Sequence, residues 1–338
     1  MAEKHFIVIG NGPAGKEAAF TLQERNPESR ITVINKGRAS SYSPHLLPDL
    51  IAGQIQEDEL YGCALSSYAE KDIKLRCCQE VVDLNLSENK IALAHKEVLS
   101  FDGLIIAVGG IPRIPENLLA YKDLMYTLKT QEDAKIWIEK LQQSESVLII
   151  GGDLSSLALT KALIHLKKKV FFILNEDAFW PLRYNEDLFK EATHHLTDKG
   201  IEIIHDRNIK KIAQLEDGTY KVQLDEQVLQ VGMVGAFFGL VPDIGFLAHS
   251  GLRIDRGILV DKYLNAGVEN IYAAGDCAQI YHPDIKDYWI SVGYDNARML
   301  GRTAALNLSC GCLEEAVKPE SIFAVQGINI NTTWWTEF

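Results

Sequence analysis

Two apolar runs in this chain each break into a glycine-rich turn, and the second turn is altered. Phe6-Ile7-Val8-Ile9 leads into Gly10-Asn11-Gly12-Pro13-Ala14-Gly15, and Val147-Leu148-Ile149-Ile150 leads into Gly151-Gly152-Asp153-Leu154-Ser155-Ser156. A buried strand, a tight turn and a helix present backbone N–H groups and a helix N-terminus to a pyrophosphate. In such a turn the first glycine makes the sharp bend, the second lets the backbone approach the phosphates, and the third lets helix and strand pack closely. Gly10, Gly12 and Gly15 fill all three places. In the second turn Asp153 takes the close-approach place and Ser156 the packing place.

The rest of the chain repeats this plan. After the first turn a helix through Lys16-Glu17-Ala18-Ala19-Phe20 leads to the strand Ile31–Ile34, which ends at Asn35. An alternating, strand-rich region follows from about Ile73 to Ile106 and closes in Ala107-Val108-Gly109. Pro112 and Pro115 mark a boundary. The second turn opens a helix carrying Leu157, Leu159, Ala162 and Leu163, then the strand Val170–Leu174 ending at Asn175, then a second strand-rich stretch from Ile201 to Val234. An internal repeat of nucleotide turn, helix, strand and small sheet is stronger evidence of fold than either turn alone. The spacing predicts an α/β chain of two nucleotide-binding domains. Beyond Tyr272-Ala273-Ala274-Gly275-Asp276, a long helix is predicted from about Ser291 to Leu308, with Val292, Ala297, Leu300, Ala304 and Ala305 on its apolar stripe.

A chain of 338 residues has room for two or three domains and a large core. Its net charge of −12 argues against nucleic acid or an anionic membrane as partner. No apolar stretch reaches membrane-spanning length. The first strand begins so near Met1 that a signal peptide would consume it. Cysteines stand at Cys63, Cys77, Cys78, Cys277, Cys310 and Cys312, with no Cys-x-x-Cys pair. Cys77 and Cys78 are expected in a strand, facing opposite ways. Cys310-Gly311-Cys312 reads as a metal pair, a strained disulfide or a plain loop. This usage suits a reducing cytoplasm, and no metal site is expected.

Taken in order, Gly10 to Gly15, Tyr42-Ser43-Pro44 with Ala52-Gly53, Ala107-Val108-Gly109, the turn at Gly151, and Tyr272 to Asp276 resemble the two-dinucleotide flavoproteins, the pyridine nucleotide–disulfide oxidoreductases. The nearest likeness is to rubredoxin and ferredoxin reductases and the flavin part of nitrite reductases. The resemblance implies a discontinuous FAD domain, 1–115 with 245–310, and an inserted NAD(P)H-type domain, 116–244. By the same likeness the C-terminal interface domain is expected to be largely missing, with 311–338 a tail whose aromatic end, Thr333 to Phe338, would either contact a partner or fold back on its own core. The resemblance further implies FAD bound through Gly10, Gly12, Pro13, Ala14 and Gly15, with Asn35 at the adenosine ribose and Lys36 either packed on the adenine side or simply solvated. Ala107, Val108 and Gly109 would line the site, Asp276 with Gly275 would hold the ribityl chain, and Trp289 would contact the flavin or serve packing alone. The helix after Tyr288-Trp289 would point its N-terminus at the flavin pyrimidine.

Several residues depart from the family pattern. Asn35 stands where a Glu usually binds the ribose. The redox cysteine is absent, His45 taking its place, so a dithiol relay is not expected. Asp49 and Ala158 replace a Lys and a Glu beside the reactive edge of the flavin. His45 and Asp49, four apart, would pair on one helical turn and protonate the flavin, or form a surface pair. At Gly151, Gly152, Asp153 and Ser156 the second site is degenerate. A carboxylate there would face a dianion, and two unit charges about 4 Å apart repel by roughly 1 to 4 kcal/mol. Asn175 lacks the carboxylate that favours NADH, and the nearest downstream arginine is Arg183. NAD(P)H binding is therefore doubtful.

Three functions follow. The first is an FAD oxidoreductase that exchanges electrons with a redox protein of iron–sulfur or rubredoxin type, possible subunit of a larger complex, with weakened or lost NAD(P)H binding. The second is an ordinary NAD(P)H-dependent reductase. The third is an FAD-loaded scaffold without catalysis.

Overall fold

His5–Ile9 is apolar enough to be buried along its whole length, as expected for a strand covered on both faces. It founds the sheet of the first of two compact units in this computed structural model. The structure describes residues 3–38, 41–62, 64–174, 186–205, 208–283, 286–310, 316–318, 324–325 and 328–329. The first unit comprises Met1–Ser43, Tyr61–Ile111 and Val241–Ile328, and the second includes Pro44–Leu60 and Pro112–Leu240.

The chain opens with β1 (His5–Ile9), α1 (Pro13–Arg25) and β2 (Arg30–Ile34), then α2 (Leu47–Ile51) and α3 (Ser66–Glu70). Next come β3 (Ile73–Arg76), β4 (Val81–Asn85), β5 (Lys90–Leu93), β6 (Val98–Ser100), β7 (Gly103–Ile106) and β8 (Gly110–Pro112). The middle of the chain holds α4 (Gln131–Leu141), β9 (Ser146–Gly151), α5 (Leu154–His165), β10 (Lys169–Leu174), α6 (Glu186–Asp198) and β11 (Glu202–Ile203). It continues with β12 (Lys211–Gln214), β13 (Tyr220–Gln223), β14 (Val228–Val231), β15 (Met233–Phe237) and β16 (Leu240–Pro242). The last stretch carries β17 (Ile258–Val260), β18 (Asn265–Val268), β19 (Ile271–Ala273), β20 (Ala278–His282), β21 (Asp287–Ile290) and α7 (Tyr294–Cys310).

In the first unit β18-β19-β7-β1-β2-β3 form one sheet, parallel except for the β18/β19 pair. The helices α1 and α7 pack on each other at very short range. A Cβ on Gly301 of α7 would land on the Ala14 carbonyl of α1, so only glycine permits the approach. A small antiparallel sheet, β4-β5-β6, and a third sheet, β17-β20-β21, complete this unit.

The second unit repeats the arrangement. Its sheet β15-β9-β10-β11 is parallel and follows the same connection order as β7-β1-β2-β3. An antiparallel β12-β13-β14 sheet follows, as β4-β5-β6 does in the first unit. Thr130 and Asp133 form a reciprocal capping box at the start of α4, whose Trp137 is fully buried and donates to the Thr127 carbonyl at 2.9 Å.

Some boundaries differ from the sequence reading. The segment 44–60 belongs to the second unit, because α2 packs on α4 and α5 while Glu57 accepts from Gln131 at 2.6 Å and Lys135 at 2.9 Å. The final long helix starts at Tyr294 rather than near Ser291, since the preceding Gly293 has φ +111°. Ala297, Leu300, Ala304 and Ala305 are buried along it as expected, whereas Val292 precedes it. Cys77 and Cys78 follow β3 rather than lying within it, and Cys78 has φ +57°. Both are free thiols. Among the described residues no helix is long and apolar enough to cross a membrane. No group of acidic, histidine and cysteine side chains among them could hold a metal ion. Asn175, Arg183, Cys63, Cys312 and the aromatic tail lie outside the described residues.

Candidate dinucleotide sites

The carboxyl ends of adjacent parallel strands are where an open α/β sheet binds a dinucleotide. In the first unit β1 ends at Gly10, β2 at Asn35, β7 at Ala107-Val108-Gly109, and β19 just before Gly275-Asp276. The six-stranded sheet therefore brings to one edge segments far apart in sequence. Gly10 has φ +103°, and a Cβ there would strike the Ala107 carbonyl. A Cβ on Gly15 would strike the Gly10 carbonyl, so this glycine sets how closely α1 meets β1. Gly12 is different. A Cβ there would meet no atom of the described residues within 4 Å, so among them its space is left open.

Gly12 is also the N-cap of α1. No side chain among the described residues caps this end, Pro13 takes the first helical position, and the first turn contains no acidic residue. Helix N-termini carry unsatisfied N–H groups and partial positive charge, which favours an anion. Beside them, the Asn11 side chain is buried, accepts from the Tyr68 hydroxyl at 2.6 Å, and leaves its Nδ2 without a partner among the described residues. An open cradle, an uncapped helix end and an orphaned donor fit a bound dinucleotide.

The turn Gly275–Cys277 is fastened to the same edge. Gly275 has φ +75°, and the Cys277 thiol lies 3.4 Å from the carbonyls of Ile106 and Ala274. Burial pushes this thiol up to about 11. These two contacts tie down the turn that carries Asp276. The sequence marks Cys277 only as a small residue after an aspartate. Asn35 exchanges hydrogen bonds with the backbone of Gly37, at 3.4 Å and 3.2 Å. Lys36 is held by Glu80 at 2.7 Å, with Asp243 at 3.9 Å, which raises its ammonium above the usual lysine range. Trp289 lies in β21, half-buried against the core of the unit and five positions before α7.

In the second unit the matching edge looks alike until Asp153. Gly151 has φ +122°, and a Cβ there would strike the Phe237 carbonyl, as Gly10 meets Ala107. Asp153 takes the place of Gly12 and is the N-cap of α5. Its Oδ1 accepts from Ser156 N at 2.9 Å and its Oδ2 from Gly239 N at 2.9 Å. The Ser155 amide also bonds it. The sequence reading set this carboxylate outward, facing a ligand. The structure turns it inward onto the helix end, where an N-cap aspartate satisfies orphan amides. Its carboxylate is enclosed, and burial pushes its pKa above the ordinary value against the pull of those amides. Ser156 is fully buried and donates from Oγ to the Asp153 carbonyl at 2.6 Å. A protein carboxylate thus occupies the N-terminal end of α5.

His45 lies exposed in a 3-10 turn, Pro44–Leu46, while Asp49 is half-buried in α2. The chain becomes α-helical only at Leu47, so the two do not share one continuous α-helical turn. Both belong to the second unit.

One unit with an open dinucleotide edge and a second of the same design define a two-nucleotide flavin oxidoreductase. Residues 4–300 match the pyridine nucleotide-disulphide oxidoreductase family, and the chain belongs to it. It is accordingly an FAD-dependent oxidoreductase. A Salmonella gallinarum protein described as a nitric oxide reductase FlRd-NAD(+) reductase is 26% identical over 306 residues, 89% of this chain and 80% of its own. The structure of a covalent putidaredoxin reductase–putidaredoxin complex has a TM-score of 0.83 at 22% identity, covering 93% of this chain and 77% of that one. A water-forming NADH oxidase from Lactobacillus brevis, bound to NADH, reaches 0.84 at 16% identity, covering 93% of this chain and 71% of that one. At such identities the structural likenesses speak for the fold.

Proposed function

We propose that this chain is an FAD protein that exchanges electrons with a redox protein of iron–sulfur or rubredoxin type, and that its middle unit binds NAD(P)H weakly. The observation that carries this reading is the contrast between two equivalent helix ends. The end of α1 is uncapped and open at Gly12, whereas that of α5 is filled by Asp153. A dinucleotide entering the second site must displace the carboxylate from Ser156 and Gly239, or accept it at contact distance. Either route weakens binding. FAD, when bound, accepts electrons as a pair and releases them singly, which suits a junction with a one-electron partner.

In this reading the chain's own residues divide the work. Gly12 and the first-turn amides of α1 hold the FAD pyrophosphate, Asn35 meets the adenosine ribose, and Asp276 receives the ribityl hydroxyls. Ala107, Val108 and Gly109 line the edge between them. Lys36, engaged by Glu80, closes the adenosine end rather than pairing with phosphate. His45 and Asp49 are candidate proton-handling groups. The names of a flavorubredoxin-linked relative and of a putidaredoxin complex support a protein partner.

A second reading is an ordinary NAD(P)H-dependent reductase. The relative named for NAD(+) and the structural neighbour bound to NADH favour it. An anaerobic titration with NADH, NADPH and a chemical reductant in turn separates the two. Slow or absent bleaching by micromolar NADH, with full bleaching by dithionite and by a reduced rubredoxin or ferredoxin, is expected. Rapid bleaching by NADH selects the second reading.

A further inference from the structure

The ring of His5 touches more partners than one charge state can serve. His5 opens β1, at the end of the strand away from Gly10, and is 8% exposed. Its Nε2 lies 2.9 Å from the Thr32 hydroxyl of β2. Its Nδ1 lies 2.9 Å from Nη2 of Arg30, also on β2, and 2.8 Å from the carbonyl oxygen of Ser100, the last residue of β6. A guanidinium only donates and a carbonyl only accepts, while a neutral imidazole offers one donor and one acceptor. With Arg30 donating to Nδ1, the ring proton sits on Nε2 and goes to Thr32, and the Ser100 oxygen faces a bare nitrogen. With both nitrogens protonated, Nδ1 donates to Ser100, and Arg30 meets a cation in place of an acceptor.

The ring cannot evade this choice, whereas Arg30 can. The His5 backbone is clamped on both sides. Its N–H donates to Asp102 Oδ2 at 2.6 Å, and its carbonyl accepts from Asp102 N at 2.8 Å. Arg30 stands at the exposed start of β2, so its guanidinium has water to move into. The charged groups that reach the ring are Arg30, Asp102 between β6 and β7, and Glu3 just before β1. Lys74 of β3 pairs with Thr32 across the sheet. Burial and Arg30 hold the imidazole below its usual 6.5, against the pull of Ser100, Asp102 and Glu3.

We infer that His5 is a proton-for-arginine exchange point. The neutral ring docks Arg30 at the base of the first unit's sheet, and the protonated ring releases it and bonds β6 through Ser100. Because the folded ring takes its proton at lower pH than the unfolded chain does, the stability it contributes is fully present above 6.5 and is lost as pH falls from there through the lowered folded value. The switch stands apart from the dinucleotide edge, since β1 carries His5 at one end and leads into Gly10 at the other.

The test is NMR of the flavin-loaded full chain with isotope-labelled histidine and arginine, the His5 ring being assigned through its own backbone amide. At about pH 8 the ring nitrogen shifts should show the Nε2–H tautomer, and on acidification the ring should titrate below 6.5. Arg30→Met removes the guanidinium and keeps an apolar stem. In that variant the His5 midpoint should move up, and the neutral ring should carry its proton on Nδ1, facing Ser100. Melting followed from about pH 7.5 to about pH 5 should show a larger loss for the parent than for Arg30→Met. An Nδ1–H tautomer in the parent at about pH 8 overturns the inference. So does a midpoint that Arg30→Met leaves unmoved or lowers, an equal melting loss in the two proteins, or a ring that stays neutral until the chain unfolds. If Arg30→Met does not fold, the parent alone decides, because Arg30 guanidinium signals that do not change across the His5 midpoint also overturn it.

Discussion

Replacing Asp153 with glycine restores the open turn that Gly12 provides in the first unit, and the structure sets the size of the effect. The native carboxylate takes the amides of Ser156 and Gly239 at 2.9 Å each. A phosphate brought to those amides would meet it at about 4 Å, which is worth roughly 1 to 4 kcal/mol between water-like and partly shielded conditions. At 1.4 kcal/mol per tenfold, Asp153→Gly should tighten NADH binding by about fivefold to several hundredfold. Losing the cap to glycine should cost only about a few tenths of a kcal/mol of stability, because glycine is itself tolerated at an N-cap. Asp153→Asn separates these effects, because an asparagine oxygen still caps but carries no charge. It should keep most of the stability and gain part of the affinity. The assay is anaerobic calorimetric titration with NADH, paired with the rate of flavin bleaching. If both variants bind NADH within twofold of the parent, the carboxylate is not what excludes the nucleotide.

Three further outcomes follow from the same geometry. Burial raises the Asp153 carboxyl above its unfolded value of 3.8, so the ionised form is disfavoured in the fold. The stability associated with its protonated form is fully present below 3.8 and is lost as pH rises through the raised value. The melting-temperature difference, Asp153→Asn minus parent, should therefore grow from pH 4 to pH 7.5, and a difference that shrinks over that range refutes the burial argument. Gly301→Ala places a methyl on the Ala14 carbonyl, so α1 and α7 must separate. Urea unfolding should show a loss of about 1 to 3 kcal/mol, with earlier FAD release on heating. Finally, iodoacetamide at pH 8 should label exposed Cys78 and Cys310 in the folded protein but reach Cys277, pushed up to about 11, only after unfolding, as read by peptide mass spectrometry.

Local patterning revealed the two sheets well, because strand, glycine turn and helix are short-range features. Ile7 to Ile9 and Leu148 to Ile150 could only be buried strands, and Gly10 and Gly151 each needed a left-handed bend against a neighbouring carbonyl. What periodicity could not reach was the direction of side chains. Asp153 is a strong N-cap residue standing just before Leu154, so its inward turn had a signal in the sequence, but the missing glycine drew attention to the ligand instead. The Asn11–Tyr68 bond joins residues 57 apart and depends on where α3 docks, which no local rule specifies. The allegiance of 44–60 was hidden for the same reason. It is set by Gln131 and Lys135 meeting Glu57 across more than 70 positions.

The path of the chain has one consequence for handling this protein. It changes unit after Ser43, Leu60, Ile111 and Leu240, so the middle body is assembled from separated stretches. A fragment cut as one continuous block from Pro112 to Leu240 would leave α2 behind and strip a cover from α4 and α5. Grafting that block into another flavoprotein would therefore produce a sticky, half-clothed module unless the short piece around Leu47 and Ile51 travels with it.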